Sequence, residues 1–198
     1  MSQEIKIVQL KKVSFAKAME VCADTALSDE AMLLMNESIA PPEYLEQLIS
    51  AKHYQDAIKF LARALPSREA AWWACVSARN GVDEHTSANE TKAIRLAEQW
   101  VFKPTDENRH KAHDAVGPLE NDSPIHWVGM AVLWSGGSMA PPDVPNVPTA
   151  PNMCGMAVSG AVMLAGLSDE VEESAQRYEL FLKRGIAIAN GSNAKDVV

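Results

Sequence analysis

Apolar residues recur three and four positions apart along most of the chain, a spacing typical of helices with one buried face. Pro41 opens one such segment and a break near His53 precedes the next, which predicts a helical hairpin. The apolar face of this hairpin comprises Tyr44, Leu45, Leu48, Ile49, Tyr54, Ala57, Ile58 and Leu61. Strand-like alternation is confined to residues 5–7. The pattern therefore predicts an all-α protein, a compact single-domain bundle of about eight to ten helices over residues 1–198.

Capping residues mark the ends of several predicted helices. Ser87 is followed three positions later by Glu90, which is the pattern of a capping box. Thr105 comes after a helix-breaking proline and is an expected N-cap. Gly191 is expected to end the last helix, so residues 192–198 are predicted to form a flexible tail.

Residues 153–167 form the longest apolar segment, with many small side chains. The segment is shorter than the roughly 20 residues that a membrane-spanning helix needs. Ala157, Ala161 and Ala165 share one ridge, which lets neighbouring helices approach closely, as do Gly155, Ser159 and Gly160. We therefore predict a buried central helix with helical hairpins packed around it, and no membrane partner.

Residues 135–152 differ from the rest of the chain because they contain five prolines, which exclude a helix or a central strand. They are predicted to form one long Pro-rich loop. Trp72 and Trp73 point about 100° apart on a helix, so one is expected in the core and the other at its margin, with the loop as a natural cover. The alternative is that the loop and an aromatic groove bind a segment of a partner protein. The partner-binding candidates are then Trp73, Met139, Val144, Pro145 and Val147.

Charge content limits the classes of partner, and cysteine content indicates the cellular compartment. The chain has 18 Lys and Arg against 26 Asp and Glu, a formal charge of −8 without a basic stripe, which argues against a nucleic acid or an anionic membrane as partner. Cys22, Cys75 and Cys154 are widely spaced in apolar stretches, which favours buried thiols in a reducing compartment. The first residues contain no apolar run of signal-peptide length, so we expect a cytoplasmic protein.

Candidate catalytic chemistry is sparse. His110 and His113 lie three positions apart with Glu107 one turn earlier, a spacing that suits a weak metal site, but no Cys-x-x-Cys or His-Glu-x-x-His motif completes a ligand set. The Gly-rich residues 135–138 lack the strand-turn-helix context of a nucleophile elbow or a phosphate loop. We predict no catalytic residues and no cofactor, and a small helical metal-binding enzyme is retained as the alternative.

Three stretches, residues 60–74, 134–142 and 157–162, resemble a family of small, uncharacterised proteobacterial proteins often encoded beside type VI secretion genes. The resemblance covers about residues 60–167 and carries no catalytic set. It implies an accessory role in secretion, such as an adaptor or co-chaperone that loads an effector or a spike component. An immunity protein that neutralises a secreted toxin is a further alternative, because an acidic surface steers a basic target.

Overall fold

The computed structural model describes residues 7–140, 143–194 and 197. In these residues the secondary structure consists of ten α-helices, a 3-10 turn over 79–81 and one isolated β-bridge, which confirms the all-α prediction. The helices are α1 (Ala18–Cys22), α2 (Asp29–Leu33), α3 (Pro41–Ser50), α4 (Tyr54–Ala64), α5 (Ser67–Ala78), α6 (Ala88–Phe102), α7 (Asp106–Val116), α8 (Pro124–Leu133), α9 (Met153–Gly166) and α10 (Val171–Ala189). Within the described ranges, no helix combines the length and the hydrophobicity needed to cross a bilayer.

Side-chain hydrogen bonds cap the first turns of α6 and α7 at the residues that the sequence predicted. The Glu90 backbone N–H donates to Ser87 Oγ at 3.2 Å, and the Ser87 N–H donates to Glu90 Oε2 at 3.1 Å, so the capping box at α6 is complete. At α7 the Asn108 N–H donates to Thr105 Oγ1 at 3.3 Å. Each bond satisfies a helix-terminal donor that has no partner inside the helix.

Helix α9 lies at the centre of the bundle and packs against α4, α5, α8 and α10. Ala157 and Ala161 are fully buried, as predicted for a central helix with a ridge of small side chains. A Cβ added at Gly155 would lie 3.2 Å from Arg63 Cα, so α9 and α4 meet almost backbone to backbone. Small side chains therefore fix the distance between the central helix and its neighbours.

The N-terminal segment is fastened to the α3–α4 hairpin by buried polar contacts. The Ser28 N–H and Oγ donate to the two oxygens of the buried Asp56 carboxylate at 3.0 and 2.8 Å. Tyr44 Oη donates to the Ala31 carbonyl at 2.8 Å. These bonds hold the connection between α1 and α2 beside α4, where it forms part of the groove described below.

The two adjacent tryptophans of α5 divide between the core and its margin, as the sequence indicated. Trp73 is fully buried, and its Nε1 donates to the Phe181 carbonyl at 2.7 Å. Trp72 lies at the margin, 5.8 Å from Phe102 between ring centroids. Its Nε1 donates to the Asn193 carbonyl at 2.9 Å, so the segment after α10 takes the covering position that the sequence assigned to the Pro-rich loop.

The described part of the predicted flexible tail is packed against the bundle. Ala194 is only 1% exposed, and the Ser192 N–H donates to the Ala187 carbonyl at 2.9 Å. Arg184 Nε donates to the Val197 carbonyl at 3.1 Å. Residues 192–194 and 197 therefore satisfy polar groups of α5 and α10, while a flexible tail over 192–198 stays a prediction; residues 195, 196 and 198 lie outside the described residues.

We expect Gly185→Ala to destabilise the protein by about 1–3 kcal/mol, because the new Cβ would lie 2.7 Å from both Leu61 Cδ2 and Trp73 Cε2. The matched control is Gly160→Ala, where the Cβ would lie no closer than 3.5 Å to Trp127 and gains about 0.5–1 kcal/mol of helix propensity. Urea unfolding of both variants checks the difference. Equal midpoints would contradict the tight approach of α10.

We expect all three thiols to react slowly in the folded protein at pH 8. Burial raises the pKa of Cys22 and of Cys154 to about 11 and raises that of Cys75 further, so about one thiol in a thousand or fewer is ionised at that pH. Titration with a chromogenic disulfide reagent checks this, with the protein in guanidinium chloride as the fully reactive control. Prompt stoichiometric labelling without denaturant would contradict the burial.

Candidate protein-binding groove

The Pro-rich loop is fixed at its base by Arg109 of α7. The guanidinium is almost fully buried, and it donates from Nη1 to the Leu133 carbonyl at 2.9 Å and from Nη2 to the Ser138 carbonyl at 2.7 Å. Its Nε also donates to Asp106 Oδ1 at 3.1 Å, and this hydrogen bond lowers the pKa of the Asp106 carboxyl. One side chain therefore joins α7, the end of α8 and the start of the loop.

The described part of the loop is folded back on itself. Ser138 forms an antiparallel bridge with Pro148, and the Met139 N–H donates to the Val147 carbonyl at 2.8 Å. Ser138 Oγ accepts from the backbone N–H of Val147 at 3.1 Å. At the entry Gly137 has a φ of 69°, and a Cβ there would lie 2.9 Å from Arg109 Nη2. Glycine is thus required by both the backbone conformation and the close guanidinium.

The structure separates the predicted partner-binding residues. Val144 and Val147 are 48% and 44% exposed on the loop, Pro145 is exposed, and Met139 is half-buried. Trp73 lies in the core and has no exposed surface, so it does not belong to a binding surface with them. Periodicity alone does not say which of two adjacent tryptophans points inward, and the approach of α10 decides it.

The weak metal candidates are not brought together. His110 Nε2 lies 3.3 Å from Arg109 Nη2, and a guanidinium at that distance repels a metal ion. His113 Nδ1 lies 3.5 Å from Asp114 Oδ1, and the Glu107 carboxylate pairs with Lys111. Among the described residues, no group of three or more His, Cys, Asp and Glu side chains is placed to hold a metal.

A groove of about 440 Å³ lies between α4, α9 and the connection from α1 to α2. Its floor is one face of α9, formed by Gly155, Met156, Ser159, Gly160 and Met163. The walls include residues 24–26 on one side and Lys59 with Arg63 on the other. The floor is apolar, because Ser159 Oγ donates to the Met156 carbonyl of its own helix at 2.8 Å.

The rim of the groove is held by an ion pair. Arg63 Nε and Nη2 donate to the two oxygens of Asp24 at 2.7 and 3.2 Å, and Asn152 Nδ2 donates to the Asp24 carbonyl at 3.2 Å. The Arg63 guanidinium also lies over the Phe15 ring, 5.3 Å from its centroid. The bidentate pair neutralises Arg63 and fixes the N-terminal wall to α4 and α9.

An aromatic side chain supports the floor at Gly160. A Cβ added there would lie 3.5–3.8 Å from atoms of the Trp127 indole, which is ordinary van der Waals contact. Trp127 is held in place by its Nε1, which donates to the Asn121 carbonyl at 2.7 Å, and by the Trp134 ring, 6.4 Å away between centroids. A side chain longer than alanine at Gly160 would therefore have to displace or cover the Trp127 indole beside the groove.

A second cleft, of about 570 Å³, lies beside Trp72 and is lined by ion-paired groups. There Arg79 Nε and Nη2 each donate to a Glu98 carboxylate oxygen at 2.7 Å. Arg184, on the same cleft, is bound to the Val197 carbonyl. Because charged side chains line this cleft, it is less suited to an apolar ligand than the α9 groove.

Sequence reasoning found the small residues of α9 but assigned all of them to packing between helices. Gly155 does serve that role against Arg63, whereas Gly160 and Met163 open on the groove. The available signal was Met156 and Met163, two of the three methionines of α9, which lie seven positions apart on a helix rich in small residues.

Comparison with known proteins identifies a family for this helical fold. The model of a family of unknown function, DUF6931, matches residues 44–189, from within α3 to the end of α10. The chain belongs to this family. No curated protein and no solved structure gives a significant match. Helices α4 and α9 lie inside the matched range, and residues 24–26 of the groove wall lie outside it.

We expect Arg109→Lys to lower the free energy of unfolding by about 1–3 kcal/mol and to loosen the Pro-rich loop, because a single ammonium cannot reproduce the fork that serves Leu133 and Ser138. Urea unfolding and amide hydrogen exchange over residues 135–148 check both effects. Arg177→Lys is the control, since that side chain is 34% exposed. Equal exchange in the two variants would show that Arg109 does not anchor the loop.

Proposed function

We propose that this protein is a non-catalytic, cytoplasmic protein-binding accessory factor of type VI secretion, an adaptor or co-chaperone that helps to load an effector or a spike component. The observation that carries the proposal is the apolar groove on α9. Its floor is made of small residues and methionines, and its polar groups are satisfied within the protein.

The shape of the groove supports a macromolecular partner over a small molecule. Met156 is 60% exposed and Leu167, just beyond the end of α9, is 55% exposed, so apolar surface continues past the groove. From Met156 to Leu167 the helix rises about 16 Å. An elongated segment of another protein covers such a strip, whereas a small ligand does not.

The secretion context rests on the resemblance of residues 60–74, 134–142 and 157–162 to proteins encoded beside type VI secretion genes. The formal charge of −8 supports a protein partner over nucleic acid or an anionic membrane. The exposed Val144 and Val147 of the Pro-rich loop offer a second apolar contact. The partner proposed is therefore a secretion-system component or effector.

We expect affinity capture of the tagged protein from its native cytoplasm to recover a secretion component, identified by mass spectrometry. Gly160→Leu should reduce recovery by about tenfold, because Gly160 lines the groove and a bulky side chain wedged against Trp127 alters the shape of its floor. Gly160→Ala is the matched control and should bind as the wild type does. A triple variant, Val144→Ser with Pro145→Gly and Val147→Ser, tests the loop separately.

The outcomes separate the alternatives. Recovery of a toxic effector alone would favour an immunity protein. The adaptor role would be contradicted if no secretion component were recovered. It would also be contradicted if the wild type, Gly160→Leu and the triple loop variant recovered equal amounts. Thermal melts of each variant establish that a lost interaction does not reflect unfolding.

A further inference from the structure

We infer that the α9 groove binds a basic amphipathic helix, whose apolar face lies along α9 and whose Lys or Arg residues meet the carboxylates at the start of α10. This inference rests on the proposed function and adds to it the chemical class of the partner segment. Three features carry it: an apolar stripe, a gap in that stripe and an uneven distribution of charge along it.

The apolar stripe consists of Met156, Gly160, Met163 and Leu167, at spacings of four, three and four residues. On a helix these positions fall within about 60° of one another, so they form one continuous row. Met156 and Leu167 are more than half exposed, and Gly160 and Met163 line the groove. Methionine side chains adapt to different apolar surfaces, which suits a binding surface.

Gly160 provides the gap in the stripe. With no side chain at Gly160 between Met156 and Met163, a large apolar residue of a ligand helix can approach the backbone of α9 where it lines the groove. The axes of packed helices lie about 8–10 Å apart, depending on the side chains at the contact, so a glycine at the crossing point favours a close approach. An extended peptide would need backbone hydrogen-bond partners on the floor, but the floor is an α-helix whose own backbone groups are paired.

The two ends of the stripe differ in charge. At the Met156 end, Arg63 pairs with Asp24 and Lys59 lies 3.7 Å from Asp56, so positive and negative groups balance. Beyond Leu167 the chain presents four exposed carboxylates, and among the described residues the ion pair found for them joins Glu173 to Arg177. These carboxylates belong to Asp169, Glu170, Glu172 and Glu173.

The excess negative charge near the Leu167 end of the stripe favours a ligand segment that carries positive charge. An apolar helix with Lys or Arg in a terminal turn gains attraction there, and an acidic helix is repelled. The distance from Met156 to Leu167, about 16 Å along α9, corresponds to about eleven residues of a ligand helix. The partner segment is thus a helix of three to four turns with its cations gathered at one end.

The test uses fluorescein-labelled synthetic peptides of about 16 residues and the full-length protein, with binding followed by fluorescence anisotropy. One peptide has a leucine stripe and three lysines in a terminal turn, and its twin has glutamine in place of these lysines. We expect the lysine peptide to bind at least tenfold more tightly than the twin, with the difference shrinking as salt rises.

Protein variants locate the binding site. Glu170→Gln with Glu172→Gln should weaken the lysine peptide at least fivefold and leave the glutamine peptide unchanged, whereas Gly160→Leu should weaken both. The charge control is Glu43→Gln with Glu84→Gln, two exposed carboxylates away from the groove. An unchanged affinity in the α10 pair, or equal binding of the two peptides, overturns the inference. So does a concentration-dependent dimer that Gly160→Leu abolishes, because the groove would then belong to a second copy of the chain.

Failure of this inference can be told apart from failure of the proposed function. If a secretion component is captured and lost with Gly160→Leu while the lysine peptide does not bind, the adaptor role stands and the ligand class is wrong. If the peptide binds as expected but no secretion component is captured, the ligand class stands and the adaptor role fails.

Discussion

The close approach of four helices to α9 is the constraint on which the rest of this structure depends. Ala157 and Ala161 are fully buried where the neighbouring helices approach, and Gly155 lets the backbone of Arg63 lie against α9. The same logic applies at Gly185, where α10 meets Leu61 and Trp73. A methyl group added at such a site forces neighbouring side chains or backbone to shift, because packed interiors have few voids to absorb it.

The candidate groove lies where the small-residue surface of α9 is not covered by a neighbouring helix. Helix α9 packs against α4, α5, α8 and α10, and its face around Met156 and Gly160 lines the groove together with residues 24–26 and the edge of α4. A face built for close packing thus remains open. Burial of this face by a partner segment would complete an arrangement that the protein's own helices leave unfinished.

The sequence predicts well whatever depends on neighbouring residues. The helical class follows from the local spacing of apolar residues. The capping box of Ser87 and Glu90 and the cap at Thr105 each involve residues within one turn, so the sequence alone predicts them. The two hydrogen bonds by which Arg109 anchors the Pro-rich loop reach Leu133 and Ser138, which lie 24 and 29 positions away in the sequence. No local sequence pattern predicts contacts over such separations. The packing of residues 192–194 likewise depends on Trp72, more than a hundred positions earlier.

Trp127 lies beside Gly160, since a Cβ added there would be 3.5 Å from the indole, and so it offers an optical probe next to the groove. Indole emission depends on the polarity around the ring, and a segment that settles on Gly160 would exclude water from one edge of Trp127. Trp73, sealed in the interior with its N–H bonded to the Phe181 carbonyl, supplies a constant background. Binding of a segment to the groove would therefore change the intrinsic fluorescence of the unlabelled chain through Trp127.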